Sequence, residues 1–183
     1  MNEGFASYSE YLTYQYLNSQ TAADNWSIRT QNYIKSEPDG SVFVPAGFQT
    51  NEDRIFDYRL TYAKGAAIIH MIRQEVANDS LFFGILREFL TRFSYSTASG
   101  NDFRDLLEEK TGRSFHRFFE QWYMGEGHPI HAINWSHQHD TLYITSIQTV
   151  SSSTPSFDVK LEFAVRVNDR DTLRLRRARP GKG

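Results

Sequence analysis

Apolar and aromatic side chains recur at three- and four-residue steps through the first two-thirds of the chain, and at two-residue steps after Pro129. Phe5, Tyr8, Leu12 and Tyr16 follow the first rhythm and predict a helix from Glu3 to Leu17. A weaker helix is predicted from Asp24 to about Lys35. Residues 36–56 carry two turn signals, Pro38-Asp39-Gly40 and Pro45-Ala46-Gly47, and read as a long loop of the kind that is often functional. Leu60 to Val76 is strongly helical, with Ile68, Ile69, Ile72 and Val76 on one face, and Leu81 to Phe93 is helical again. Asn101 begins a further helix whose first-turn acids, Asp102 and Asp105, complement the helix dipole, and Gly112 is its C-cap. Ser114 is the predicted cap of a last helix carrying Phe115, Phe118, Phe119 and Trp122.

Beyond Pro129 the alternation of Ile133 and Trp135, Leu142 and Ile144, and Phe157 through Val167 predicts about four strands, with a turn at Asn168-Asp169. The expected fold class is α+β: a helical unit over residues 1–126, then a β region over 127–183 with a basic tail. Charge divides at the same place. Residues 1–126 hold 12 Lys and Arg against 17 Asp and Glu, net −5, while residues 127–183 hold 8 against 5, net +3. The excess sits in Arg174, Arg176, Arg177, Arg179 and Lys182. No aromatic side chain interleaves with them, so a polar strand face and tail is the better reading than a phosphate-binding arm.

The whole chain has 183 residues and net charge −2, which argues against nucleic acid as the main partner. It has no cysteine, which excludes a disulfide framework and a cysteine nucleophile. Its apolar runs are too short for a membrane-spanning helix, and Met1-Asn2-Glu3-Gly4 shows neither a basic nor an apolar leader segment.

Candidate chemistry is sparse by spacing alone. There is no Gly-x-Ser-x-Gly elbow and no glycine-rich phosphate loop. His128, His131, His137 and His139 cluster in sequence, and His137 and His139 would share a strand face. They read either as a zinc or nickel site or as a loop and solvated strand face, the second being favoured because no spacing fixes a third ligand. His70 reads as a core histidine bonded to a backbone carbonyl, and His116 as a surface residue. Phe43, Phe48 and Phe56 are candidates for lining a side-chain pocket or, more simply, for anchoring the long loop.

Two segments carry more. Asn2-Glu3-Gly4-Phe5-Ala6 and Tyr62-Ala63-Lys64-Gly65, with Glu3 and Tyr62 59 positions apart, resemble the paired motifs of the gluzincin aminopeptidases. Phe118-Phe119-Glu120-Gln121-Trp122 followed by Gly127-His128-Pro129 is similar to the end of that family's catalytic domain. The resemblance implies a thermolysin-like catalytic domain followed by a β-sandwich, and a zinc-dependent enzyme that removes N-terminal residues from peptides. It also implies two residue roles. Glu3 is the third zinc ligand, and Tyr62 is the phenol that stabilises the oxyanion of the tetrahedral intermediate. A phenol suits that position because it is an uncharged donor near neutral pH. Gly65 is expected to let the backbone pass close to a neighbour.

One departure from the family pattern shapes the expectation. No His-Glu-x-x-His occurs in the sequence, so both histidine ligands and the general-base glutamate are missing. The chain is therefore expected to be the helical C-terminal part of a longer zinc aminopeptidase plus early strands of the next domain. By itself it is expected to be inactive, to bind no zinc, and to self-associate through exposed apolar surface. The rival expectation is a metal-free, non-catalytic relative that serves as a binding or scaffold module.

Overall fold

The computed structural model describes residues 1–167 and 171–176. Helix α1, Asn2–Thr13, runs into a single π-helical stretch, Tyr14–Asn18. Helix α2, Gln20–Ile34, begins four residues earlier than the apolar pattern predicts. Ser19 is extended there, and its hydroxyl accepts from the Ala22 N–H at 3.1 Å, a capping interaction that hydrophobic spacing does not register. The predicted loop over residues 36–56 holds only a 3₁₀ turn, Ala46–Phe48, and the short α3, Glu52–Ile55. The predicted helix over Leu60–Val76 is two geometries in series. A π-helix, Tyr58–Lys64, leads without interruption into α4, Gly65–Val76. Helices α5, Asp79–Arg92, and α6, Gly100–Thr111, follow.

Helix α6 starts at a capping box: Ser99 accepts from the Asp102 N–H, and the Asp102 carboxylate accepts from the Ser99 N–H at 2.7 Å. It ends at Gly112, whose φ of 63° lies in the left-handed region. The last helix, α7, is His116–Phe118 and continues as a π-helical stretch, Phe119–Met124. Ser114 is a minor cap. The Glu108 carboxylate, reaching over from α6, accepts from the N–H groups of both Phe115 and His116.

The core lies between α1, α4, α5, α6 and α7. Tyr8, Ile68, Ile69, Ile72, Phe82 and Phe103 are almost wholly buried in it. Arg73, also buried, pins three of these elements. It makes a bidentate pair with Asp79 at 2.7 and 2.6 Å and donates to the Tyr8 hydroxyl and to Gln15.

Helix gives way to strand between Met124 and Pro129. Strand β1, Pro129–Gln138, pairs antiparallel with β2, Thr141–Val150, from Pro129 opposite Val150 to Gln138 opposite Thr141. Strand β3, Glu162–Val167, pairs likewise with β4, Asp171–Arg176. Phe157 and Val159, predicted as strand residues, lie in the irregular segment between the hairpins. Phe157 is buried because its ring packs on Trp122 at 4.4 Å, so its place in the alternating pattern reports docking onto the helices. The Asn168-Asp169 turn and the basic residues after Arg176 lie outside the described residues. The class is α+β, as expected.

Candidate active site

Glu3 stands in the first turn of α1 and Tyr62 in the π-helix ahead of α4, and the two segments pack directly on one another. The contact is made by glycine. A Cβ added at Gly4 would lie 2.7 Å from the Gly65 carbonyl carbon, and one added at Gly65 would lie 3.0 Å from the Gly4 Cα. No side chain fits between the two backbones, so the residue after Glu3 and the residue three after Tyr62 touch main chain to main chain. Sequence reasoning anticipated a close approach at Gly65, and Gly4 is the neighbour.

Each candidate side chain has its own support. The Glu3 carboxylate is half-buried and accepts from Asn2 Nδ2 at 3.2 Å. The Tyr62 ring is half-buried and stacks on Tyr58, with centroids 5.4 Å apart and planes 23° apart. Tyr58 in turn tilts against Tyr33 of α2. Asp57 caps the π-helix by accepting from the Leu60 N–H at 2.8 Å. π-Helical turns are uncommon and concentrate at functional sites, because the extra residue per turn re-aims the side chains around it.

Two buried cations in this helix escaped the sequence reading. Lys64 is 4% exposed. Its ammonium donates to the Gly40 carbonyl at 2.6 Å and lies 3.4 Å from the Gly125 carbonyl. Burial, reinforced by the Arg59 charge, pushes its pKa down to about 8. Arg59, 7% exposed, donates to the Asp39 carbonyl and to the Glu37 carboxylate. Together they bind residues 37–40 against the helix that carries Tyr62. The signal was present: two basic residues inside an apolar run over 58–69 must find acceptors once that run is buried.

The remaining candidates do not converge. His128 Nδ1 lies 3.2 Å from the Ser151 hydroxyl, and His131 Nδ1 lies 3.0 Å from Ser146. His137 is in β1 opposite Leu142, whereas His139 sits in the hairpin turn at φ 52°, so the two do not share a strand face. Among the described residues no three His, Cys, Asp or Glu side chains group as a metal would require. His70 lies beside the Tyr8 hydroxyl, 3.5 Å from Nδ1, where a backbone carbonyl had been expected. His116 is exposed and bonded to Glu108. Phe43, Phe48 and Phe56 are all exposed, and Phe43 packs edge-on against Tyr123.

A family model described as the Peptidase family M1 domain matches residues 1–122, the stretch that contains both motifs and the helices packed around them. The chain belongs to peptidase family M1. Among curated relatives, the Tricorn protease-interacting factor F2 of Thermoplasma volcanium is 28% identical over 145 residues, covering 73% of this chain and 18% of the relative. Probable aminopeptidase 1 of Saccharolobus solfataricus is 22% identical over 188 residues, covering 96% and 24%. Aminopeptidase N of Lactobacillus delbrueckii is 27% identical over 140 residues, covering 71% and 16%. The chain thus spans less than a quarter of the length of these M1 relatives.

Proposed function

We propose that this chain is the part of a zinc-dependent M1 aminopeptidase that supplies one metal ligand, Glu3, and one transition-state donor, Tyr62. The observation that carries this reading is the Gly4–Gly65 contact, which brings the two motif segments together. A catalytic zinc takes three protein ligands and keeps a fourth position for water. Glu3 fits as one oxygen ligand: it is half-buried, it accepts from the neutral Asn2 amide, and the charge of the Met1 ammonium also reaches it. The other ligands would come from outside the described residues, consistent with the missing His-Glu-x-x-His. When bound, the metal would supply an activated water.

The residues of this chain do the rest. Tyr62, fixed by its stack on Tyr58, donates its phenolic proton in a hydrogen bond to the oxygen of the scissile carbonyl as negative charge develops there. Lys64 and Arg59 hold the segment that positions Tyr62. The substrates are peptides with a free N-terminus. The β region is proposed to be the first part of a sandwich domain. Exposed apolar side chains such as Leu17, Ile28 and Tyr58 are those through which the isolated chain would self-associate.

The decisive measurement uses the longer protein. Tyr62→Phe is expected to lower kcat on an aminoacyl-anilide by about 10²–10³ with KM nearly unchanged, since it removes one donor made in the transition state. Glu3→Ala is expected to lower zinc content. A Tyr62→Phe enzyme with unaltered kcat would sink the role given to Tyr62. Hydrolysis by the 183-residue chain alone, abolished by Tyr62→Phe, would sink the view that the rest of the site lies elsewhere.

A further inference from the structure

A cleft of about 420 Å³ opens between α2, α4 and the start of β1, and Lys64 is the residue it shares with the helix that carries Tyr62. Trp26, Ile68, Met71 and Trp122 supply its apolar walls. Every ionisable side chain that lines it is basic or neutral: Lys35, Lys64, His70 and His128. Among the described residues no carboxylate lines it. The acids whose charge reaches Lys64, Glu126 and Asp39, and the one that reaches His70, Asp24, all lie outside the lining.

The positive potential is expressed in the groups themselves. Burial holds His128 below the ordinary imidazole range, and the charges of Lys35 and Lys64 push it further down. Two donor side chains line it. Lys64 is 4% exposed, and its ammonium donates to the Gly40 carbonyl and, at 3.4 Å, to the Gly125 carbonyl, which leaves one of its three protons. The Trp122 indole Nε1 is buried with no partner among the described residues.

We propose that this cleft binds a small amphipathic carboxylate, an unbranched apolar chain ending in one carboxylate group. The chain would lie against the two tryptophans and Met71, and the carboxylate would face the lysines and His128. The volume is in the range of small-ligand sites, and apolar walls with a few convergent polar groups are their usual composition. Charge complementarity selects the anion over a neutral or cationic amphiphile of the same length.

Calorimetric titration of the 183-residue chain with octanoate and with octan-1-ol tests this without any variant. Octanoate is expected to bind saturably at one site, and octan-1-ol about tenfold more weakly, a difference of roughly 1.4 kcal/mol. Lys35 is exposed at the rim, so Lys35→Glu leaves the fold intact. It is expected to weaken octanoate by about tenfold while leaving octan-1-ol unchanged. The proposal is overturned by the absence of saturable octanoate binding in the low millimolar range. Equal affinity for the alcohol, or octanoate binding indifferent to Lys35→Glu, overturns it as well. None of these readouts depends on peptidase activity, so they stand apart from the roles given to Glu3 and Tyr62.

Discussion

Gly4 and Gly84 are both helical glycines, yet alanine should act on them in opposite directions. At Gly4 the new Cβ would meet the Gly65 backbone at 2.7 Å, and neither α1 nor α4 can yield without moving a whole element. Gly4→Ala is expected to destabilise the chain by about 1–3 kcal/mol, the usual range for overpacking. At Gly84, within α5, a Cβ meets nothing within 4 Å. Gly84→Ala is expected to stabilise by about 0.5–1 kcal/mol, because it narrows the unfolded ensemble and improves helix propensity. Urea midpoints for the two variants should move to opposite sides of the parent. A Gly4→Ala midpoint equal to that of the parent would mean that the main-chain contact beside Glu3 is not close. Hydrophobic periodicity does not separate these two glycines, although Gly4 lies in the Asn2–Ala6 motif. Each sits in a run of apolar periodicity, and what distinguishes Gly4 is a partner 61 positions away.

At the level of elements, local signals were well read where the hydrogen-bond partners are local. The periodic faces of α1, α4 and α5 and the left-handed cap at Gly112 follow from residues within a turn of each other. Apart from the start of α2, where the local Ser19 cap leaves no mark on hydrophobic spacing, the misreadings involve partners beyond that range or a different helical pitch. π-Helical stretches place the same residue types at a slightly different pitch, and an apolar run of seven residues does not resolve the two. The start of α7 is the clearest case. Ser114 looked like its cap, yet the orphan N–H groups of Phe115 and His116 are taken by Glu108, six residues before Ser114 and on another helix. Glu108→Ala is therefore expected to cost about 1–2 kcal/mol, at the upper end for a lost cap, whereas Ser114→Ala should cost a few tenths. Thermal or urea unfolding of both variants checks the order. A larger loss at Ser114 would return the cap to the residue that sequence reasoning chose.

Across the whole molecule, Lys64 joins three segments that are far apart in sequence: the π-helix, the Gly40 turn and the Gly125 bend where the helices end. Its ammonium is held in a dry place, and this sets the sign of an alkaline effect on stability. The folded pKa is about 8 against an unfolded value of 10.5. Below pH 8 both states carry the proton, and the burial penalty is fully present. Between 8 and 10.5 the unfolded chain keeps a proton that the folded chain has released, so the unfolding free energy rises with pH, by about 3 kcal/mol at most. Tyr8 and Tyr123 act in the opposite sense. Burial raises both phenols above 10, so at higher pH the unfolded chain loses those protons first and stability falls. Urea denaturation across the alkaline range should therefore show stability climbing from pH 8 to roughly 10 and then turning down. In Lys64→Met the climb should vanish while the fall at higher pH persists. A rise that survives in Lys64→Met would assign the alkaline stabilisation to another group and remove Lys64 as the buried charge at this three-segment junction.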